Sequence, residues 1–321
     1  MLKIEAVGLC GSDVAQHDGV ELVPGASVFP TVPGHETVGV VWKLGTGSDL
    51  GVSEGDRVAV DEVLSVGGPS GFQVYGYTFD ARTPPGLFGG YGEYMVILPG
   101  TRLHKLSTSL PAVDQTVFEP LANAVNWVGL AGVGPGDTVV VEGPGHQGLC
   151  VLDAALAAGA STVIVTGTAG DGLRLDAARA IGAHHVVDVS EEDPVERVRE
   201  LTGGAGADVV MDISPAPATV TAAIDLVRFH GRVLLAGLKH FAPIPNFVSD
   251  LLVVRGLQVT GGSGFTPESM AAAVDLLERG IAHAAELRGD VFSLDDLDTA
   301  LALLARTDPT RDAVRVSLVH R

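Results

Sequence analysis

Two stretches near the start of the chain carry the donor atoms that a divalent cation takes. Cys10 stands in Gly8-Leu9-Cys10-Gly11-Ser12-Asp13, and His35 with Glu36 in Pro33-Gly34-His35-Glu36. Thiolate, imidazole and carboxylate are ligands of Zn²⁺, and a catalytic zinc keeps one position open for substrate. Cys10 and His35 lie 25 residues apart, so only a fold can bring them together. Taken singly, Cys10 also suits a small buried apolar position and His35 a turn or core position. A different chemistry is written at Gly143-Pro144-Gly145-His146-Gln147-Gly148. This GxGxxG follows a Val-rich run, Thr138 to Glu142, and opens an apolar stretch, Gln147 to Ala158. Gly143 permits the tight turn, Gly145 lets backbone approach a pyrophosphate, and Gly148 lets helix and strand pack closely. The free N–H groups at the helix start, around His146 and Gln147, then face the phosphates. The plain alternative is a Gly-rich turn without a ligand.

The choice between NAD and NADP turns on the next strand tip. A carboxylate roughly 20 residues beyond the glycines binds the ribose 2′-OH and selects NAD. The run Val165-Thr166-Gly167-Thr168 has no acid at its end, and the first one is Asp171. A small neutral Thr168 leaves room for a 2′-phosphate that Arg174 approaches, which leans toward NADP. Asp171 bent back to the ribose favours NAD, and Arg174 is then an ordinary solvated helix residue.

The elements that position these residues fall into two textures. From Met1 to about Ala122, short β-rich runs (Thr37 to Leu44, Arg57 to Val63, Tyr91 to Leu98) alternate with Gly/Pro turns, which predicts an all-β barrel or sandwich. From Asn123 onward, strands at 138–142, 162–166, 185–189, 208–213 and 232–236 alternate with helices at 147–158, 173–181, 194–201 and 218–229. That alternation predicts βαβ units and a parallel sheet, so the class is α/β plus β. A strand at 257–260, a helix at 267–279 stopped by Gly280, a short helix at 294–306 and a terminal strand at 313–318 complete the chain. Trp42, Trp127 and Cys150 read as core. Tyr77, Phe79 and Phe88 either line a pocket or pack.

Length and composition agree. The 321 residues are enough for two domains, and their formal charge of −19 would repel nucleic acid and anionic membrane surfaces. Charged residues are 18%, below the roughly 25% of average domains, and mean hydropathy is +0.33, the opposite of a disordered chain. The two cysteines exclude a disulfide framework and a four-cysteine zinc site. The opening residues show no signal peptide and no apolar run long enough to span a bilayer, which predicts a cytoplasmic protein.

Five ordered motifs, GLCGSD, PGHE, GGYGEY (Gly89 to Tyr94), FEPLA (Phe118 to Ala122) and GPGHQG, resemble those of the medium-chain zinc-dependent dehydrogenases, in their alcohol, polyol and threonine dehydrogenase branch. The resemblance runs from about residue 3 to the C-terminus. It implies a GroES-like β-barrel catalytic domain over 1–122, completed by 281–321, and a Rossmann NAD(P)-binding domain over 123–280. It further implies a zinc-dependent oxidoreductase that moves a hydride between NAD(P) and a secondary alcohol or polyol, or its ketone. Cys10 and His35 resemble the metal ligands. Glu36 resembles the carboxylate that ligates or exchanges with water, and Glu119 stands where polyol-type members place a ligand Glu. Ser12 resembles the relay hydroxyl, and Asp13 the carboxylate that orients the ligating imidazole. The strand at 257–260 resembles one that pairs across a dimer, which implies a homodimer or homotetramer.

Three departures from the family pattern are visible. The stretch Glu62 to Tyr75 replaces a four-cysteine lobe and has no Cys, which predicts one catalytic zinc and no structural zinc. Family members have a further segment before the strand that leads to GLCGSD. Its lack here predicts either a start further upstream or a β-domain with an unpaired edge. The relay often includes a His five residues after the ligand Cys, where this chain has Ala15, with His17 two residues on. A zinc-free enone or quinone reductase of the same superfamily and an inactive nucleotide-binding paralogue are the rival readings. Cys10, His35 and Glu119 together speak against the reductase.

Overall fold

The computed structural model describes residues 1–20, 27–65, 71–308 and 310–320. Residues 66–70, within the stretch that replaces the four-cysteine lobe, lie outside them. The chain divides into two units, Met1–Glu119 with Leu287–Arg321, and Pro120–Glu286. Among the described residues no helix is long and apolar enough to cross a membrane.

The first unit holds β1 (Leu2–Leu9), α1 (Gly11–His17), β2 (Glu36–Val41), β3 (Arg57–Val60), β4 (Val63–Ser65), β5 (Phe72–Val74), β6 (Tyr94–Met95), β7 (Leu103–Lys105) and α2 (Ala112–Gln115). Helix α3 (Phe118–Leu130) crosses the boundary into the second unit. There follow β8 (Thr138–Glu142), α4 (His146–Ala157), β9 (Thr162–Gly167), α5 (Gly172–Ile181), β10 (His185–Asp188), α6 (Pro194–Leu201), β11 (Ala207–Asp212), α7 (Ala218–Leu226), β12 (Val227–Leu235), α8 (Asp250–Arg255), β13 (Gln258–Gly261) and α9 (Pro267–Glu278). The chain then returns to the first unit with β14 (Asp290–Ser293), α10 (Leu297–Leu304) and β15 (Val316–Val319).

The first unit's main sheet has seven strands in the order β14-β15-β1-β2-β3-β7, with β6 also on β1, and runs as an open path. The opening strand is not an edge. It pairs with β2 along one side, with β15 over Ala6 to Leu9, and with β6 at Leu2 and Lys3. The β1–β2 register slips between Ile4 and Ala6. Leu2 and Ile4 enter one buried cluster, while Val7 and Leu9 enter another with Leu301, Val316 and Leu318. Such a slip re-aims the side chains that follow it. Phe79 and Phe88 stack in the first cluster, 4.8 Å apart, so they are packing residues. Trp42 departs from its reading as core. It is 55% exposed, its ring edge-on to Tyr94 at 5.9 Å.

The second unit is a six-stranded sheet in the order β10-β9-β8-β11-β12-β13, parallel at every pairing. Strands flanked on both faces read as continuous Val/Ile runs, as Val139, Val140, Val141, Val163, Ile164 and Val165 do, all of them fully buried. The order is the dinucleotide-binding one, reversing between β8 and β11. Helix α6 starts at Asp193, whose carboxylate accepts from Val195 N and Glu196 N, with Pro194 in the first turn. The expected helix over 218–229 ends at Leu226, because Val227 is already extended and Val227–Leu235 forms β12. Trp127 and Cys150 are buried, as expected.

Candidate active site

Cys10 immediately precedes α1, and its backbone N–H donates to Asp13 Oδ2 at 2.8 Å. That bond closes the first turn of the helix, so the Gly-Ser-Asp after the cysteine forms a cap. It also directs Asp13, 2% exposed, toward His35, with His35 Nδ1 3.6 Å from Asp13 Oδ1. Gly34 adopts φ +94°, and a Cβ there would lie 2.5 Å from the Tyr91 ring. Only glycine lets the chain pass under that ring and present His35 beside the start of β2.

His35, Glu36 and Glu119 come together: one ligand atom from each lies within 4.8 Å of the others, and all three residues are buried. Glu119 comes from the first turn of α3. In the sequence, only the FEPLA motif points to its arrival here. The Cys10 side chain interacts with the His35 ring. Burial pulls the His35 imidazole down, but Tyr77, Asp13 and Cys10 more than offset that, and its pKa stands well above the ordinary value. An imidazole and two buried carboxylates around one point, with the Cys10 thiol against the His35 ring, form a donor set that fits a zinc ion.

Glu36 is fully buried and forms an ion pair with Arg315, whose Nη2 also donates to Thr116 O at 2.9 Å. Oε2 takes the guanidinium, and Oε1 has no hydrogen-bond partner among the described residues. One oxygen is thus fixed while the other is left to face the site.

Two further residues stand near the donors, Tyr77, which the sequence left open between pocket lining and packing, and Glu62. The Tyr77 hydroxyl lies 2.6 Å from Ser12 Oγ and 3.3 Å from His35 Nδ1, with the two rings 5.2 Å apart at 48°. Its segment is pinned by Gln16 Nε2, which donates to Gly76 O at 2.9 Å. Tyr77 is therefore a site residue, whereas its neighbours Tyr75 and Phe79 are core. Glu62 is 5% exposed, and its Oε2 has no hydrogen-bond partner among the described residues. Burial, and after it the charge of Glu119, push its carboxyl well above the usual range. Neither residue sits in a recognisable motif, and only the aromatic character of Tyr77 hinted at a pocket role. Ala15 leaves no imidazole at the usual relay position, and His17 is exposed.

In the second unit the glycine turn leaves β8 at the point where strand order reverses. Gly143 has φ +99°, and a Cβ on Gly148 would lie 1.9 Å from Gly143 O, so helix and turn touch. Gly145 is the N-cap of α4, which His146 and Gln147 open. At the tip of β9, Thr168 N and Oγ1 both donate to Asp171 Oδ2, at 3.0 and 2.7 Å. Asp171 thus bends back onto the strand tip. Arg174 is no solvated residue: it is 7% exposed, and its guanidinium lies 3.8 Å from Asp171.

Residues 1–108 match the family model "Alcohol dehydrogenase GroES-like domain", and residues 148–279 the model "Zinc-binding dehydrogenase". A protein of Mycobacterium tuberculosis named "Probable alcohol dehydrogenase adh" is 38% identical over 95% of this chain and 87% of its own. The sorbitol dehydrogenase of Halalkalibacterium halodurans is 32% identical, covering 93% of this chain and 86% of its own. The crystal structure of 2R,3R-butanediol dehydrogenase from Bacillus subtilis superposes with a TM-score of 0.82 at 25% identity, covering 99% of this chain and 91% of the other. The chain belongs to the medium-chain zinc-binding dehydrogenase family.

Proposed function

We propose that the protein interconverts a secondary alcohol or polyol and its ketone with a nicotinamide cofactor, using one catalytic zinc and no structural zinc. The observation that carries this reading is the convergence of His35, Glu36 and Glu119, all buried, with one ligand atom of each within 4.8 Å of the others. Cys10, His35 and Glu119 would hold the metal, with Glu36 Oε1 placed to join them. When bound, the cation supplies a Lewis acid that lowers the pKa of a hydroxyl. Ser12 would relay the proton that the substrate hydroxyl loses, accepting it as its own hydroxyl proton passes on to solvent. Tyr77 fixes the Ser12 rotamer at 2.6 Å, and with Asp13 it orients the His35 ring. Gly143, Gly145, His146, Gln147 and Gly148 hold the pyrophosphate at the start of α4, and the cofactor supplies the hydride acceptor. Residues 1–119 with 287–321 act as the catalytic unit and 120–286 as the cofactor unit. A second copy pairs along β13, an edge of the six-stranded sheet, where Val259 is exposed, as are Val253 and Val254 of the preceding α8.

The cofactor is NAD. Asp171, folded back on Thr168, brings a carboxylate to the strand tip, where it accepts from a ribose hydroxyl and repels a 2′-phosphate. Replacing Asp171 with Ala weakens NADH binding relative to NADPH by about tenfold, or ~1.4 kcal/mol, read by fluorescence titration of both cofactors. An unchanged ratio removes Asp171 from the ribose site. Tyr77→Phe keeps the ring and loses one hydroxyl. It lowers kcat/KM about 3- to 10-fold, the worth of one hydrogen bond, with zinc content unaltered. Wild-type kcat/KM in this variant shows that Ser12 needs no such support.

Zinc analysis together with a panel of secondary alcohols and polyols, each with NAD⁺ and NADP⁺, tests the whole reading. About one zinc per chain and turnover of a secondary alcohol are expected. Enone reduction by a zinc-free protein would overturn it.

A further inference from the structure

Glu62 stands beside the trio of His35, Glu36 and Glu119 without belonging to it. It is 5% exposed, and a carboxyl so buried needs partners. Glu36, Asp61, Asp114 and Asp212, also buried, are each paired with an arginine or a lysine. Glu62 Oε2 has no hydrogen-bond partner among the described residues. Its side chain lies close enough to Glu119 and His35 to interact with both charges. All three residues belong to the first unit.

The backbone holds the side chain there. Glu62 lies between β3 and β4, where Asp61 N donates to Arg102 O at 3.1 Å and Tyr75 N donates to Glu62 O at 2.9 Å. The neighbouring Asp61 takes the Arg102 guanidinium on Oδ2 at 2.6 Å and the Val63 N–H on Oδ1 at 3.1 Å. That guanidinium is therefore engaged, and Glu62 is left on the side of the metal donors. The chemistry of its missing partner follows. A hydroxyl donates to a carboxylate and accepts from a carboxylic acid, so it satisfies Oε2 in either protonation state. An ammonium group would bring a second positive charge against the cation that the donors would hold. An apolar group would leave the oxygen buried and unpaired. The reacting hydroxyl of an alcohol belongs to the metal, so the hydroxyl for Glu62 is a second one on the next carbon.

We propose that Glu62 makes the enzyme selective for vicinal diols, by hydrogen-bonding the hydroxyl next to the one that is oxidised. This rests on the reading of the site as a zinc alcohol dehydrogenase, and it narrows the substrate from secondary alcohols in general to those with a second hydroxyl on the adjacent carbon. A monoalcohol leaves Glu62 Oε2 without a partner, and a site built to bond a hydroxyl rejects the analogue that lacks it. The contact exists in the bound substrate and in the transition state alike, so it acts mainly through KM.

The intact zinc-loaded protein tests this with propane-1,2-diol against propan-2-ol, which lacks only the second hydroxyl, with zinc measured in every variant. In the wild type, kcat/KM for the diol is expected to exceed that for the monoalcohol by at least about tenfold. Glu62→Met keeps the length of the side chain, removes both oxygens and brings the ratio to about one. Glu62→Gln still bonds a hydroxyl and keeps most of the preference. Binding gives a second readout. With saturating NADH no hydride can leave the alcohol, and the diol should raise Tm by about 2–4 °C more than propan-2-ol at equal saturating concentration. That difference disappears in Glu62→Met. No preference for the diol in the wild type overturns the proposal, whether or not the variants fold. So does a preference that survives Glu62→Met, or a loss of zinc in Glu62→Gln, which would make Glu62 a metal ligand. A larger gain with 1-aminopropan-2-ol than with the diol also overturns it, because it marks an amine site. Absence of zinc, or turnover of neither alcohol, overturns the alcohol dehydrogenase reading as well. Turnover of propan-2-ol without a diol preference leaves that reading standing and removes only Glu62.

Discussion

Zinc content falls from about one ion per chain to background when His35 is replaced by alanine. Turnover falls with it by at least about 10³-fold, which corresponds to ~4 kcal/mol of lost transition-state stabilisation. The expectation rests on the donor count. His35, Glu36 and Glu119 share one buried point, and His35 is the only imidazole of that trio. Without it the site keeps anionic donors that repel one another, and Glu62 adds a further carboxylate beside Glu119. Two measurements separate metal loss from misfolding. Metal analysis follows the site, and NADH fluorescence follows the glycine turn, which belongs to the other unit with its own core. Retained zinc with full turnover in the variant would remove His35 from the metal site. Loss of zinc and NADH binding together would point instead to general unfolding.

Arg315→Met costs about 3–5 kcal/mol of stability, because it strands Glu36 as a buried carboxylate without its partner. Glu36 is 0% exposed and Arg315 2%, so water cannot replace the guanidinium. A midpoint lower by on the order of 10 °C is expected. The pair joins the return segment of the chain to β2, with Thr116 O as a third member. Adding Glu36→Gln to the Arg315→Met background recovers part of the loss, since a neutral amide costs less to bury than a charge. A single variant as stable as wild type, or a double variant no better than the single one, contradicts the argument. A Cβ on Gly8 would fall about 2.0 Å from Glu36 Oε2, so the residue opposite this pair has to be glycine.

Much of the fold was legible because its signals are local. The Val-rich runs of β8, β9 and β11 and the glycine turn between strand and helix report their surroundings through composition alone. The helix boundary after Leu226 was not legible, because Val227 to Phe229 continues an apolar run that fits either state, and the parallel pairing of Ala207 with Val227 settles it. Helix α1 was missed for a related reason. At seven residues it is too short to show a period, and it is held by the Asp13 cap at Cys10 N. Trp42 shows the reverse error, since the residue type suggested core and the position at the sheet surface is exposed.

The sequence by itself determined the inventory: a thiol, an imidazole and carboxylates in ordered motifs, a GxGxxG turn with glycines at three fixed places, and too few cysteines for a four-cysteine zinc site. Those are matters of residue type and short spacing. Only the tertiary structure decided which atoms meet. Glu119 joins His35 across more than eighty positions of chain, and Tyr77 reaches Ser12 across 65. Arg315 finds Glu36 across 279. Long-range pairings leave no periodic trace, because each depends on the direction of a side chain set by a sheet register, a cap or a glycine that lets another residue pass.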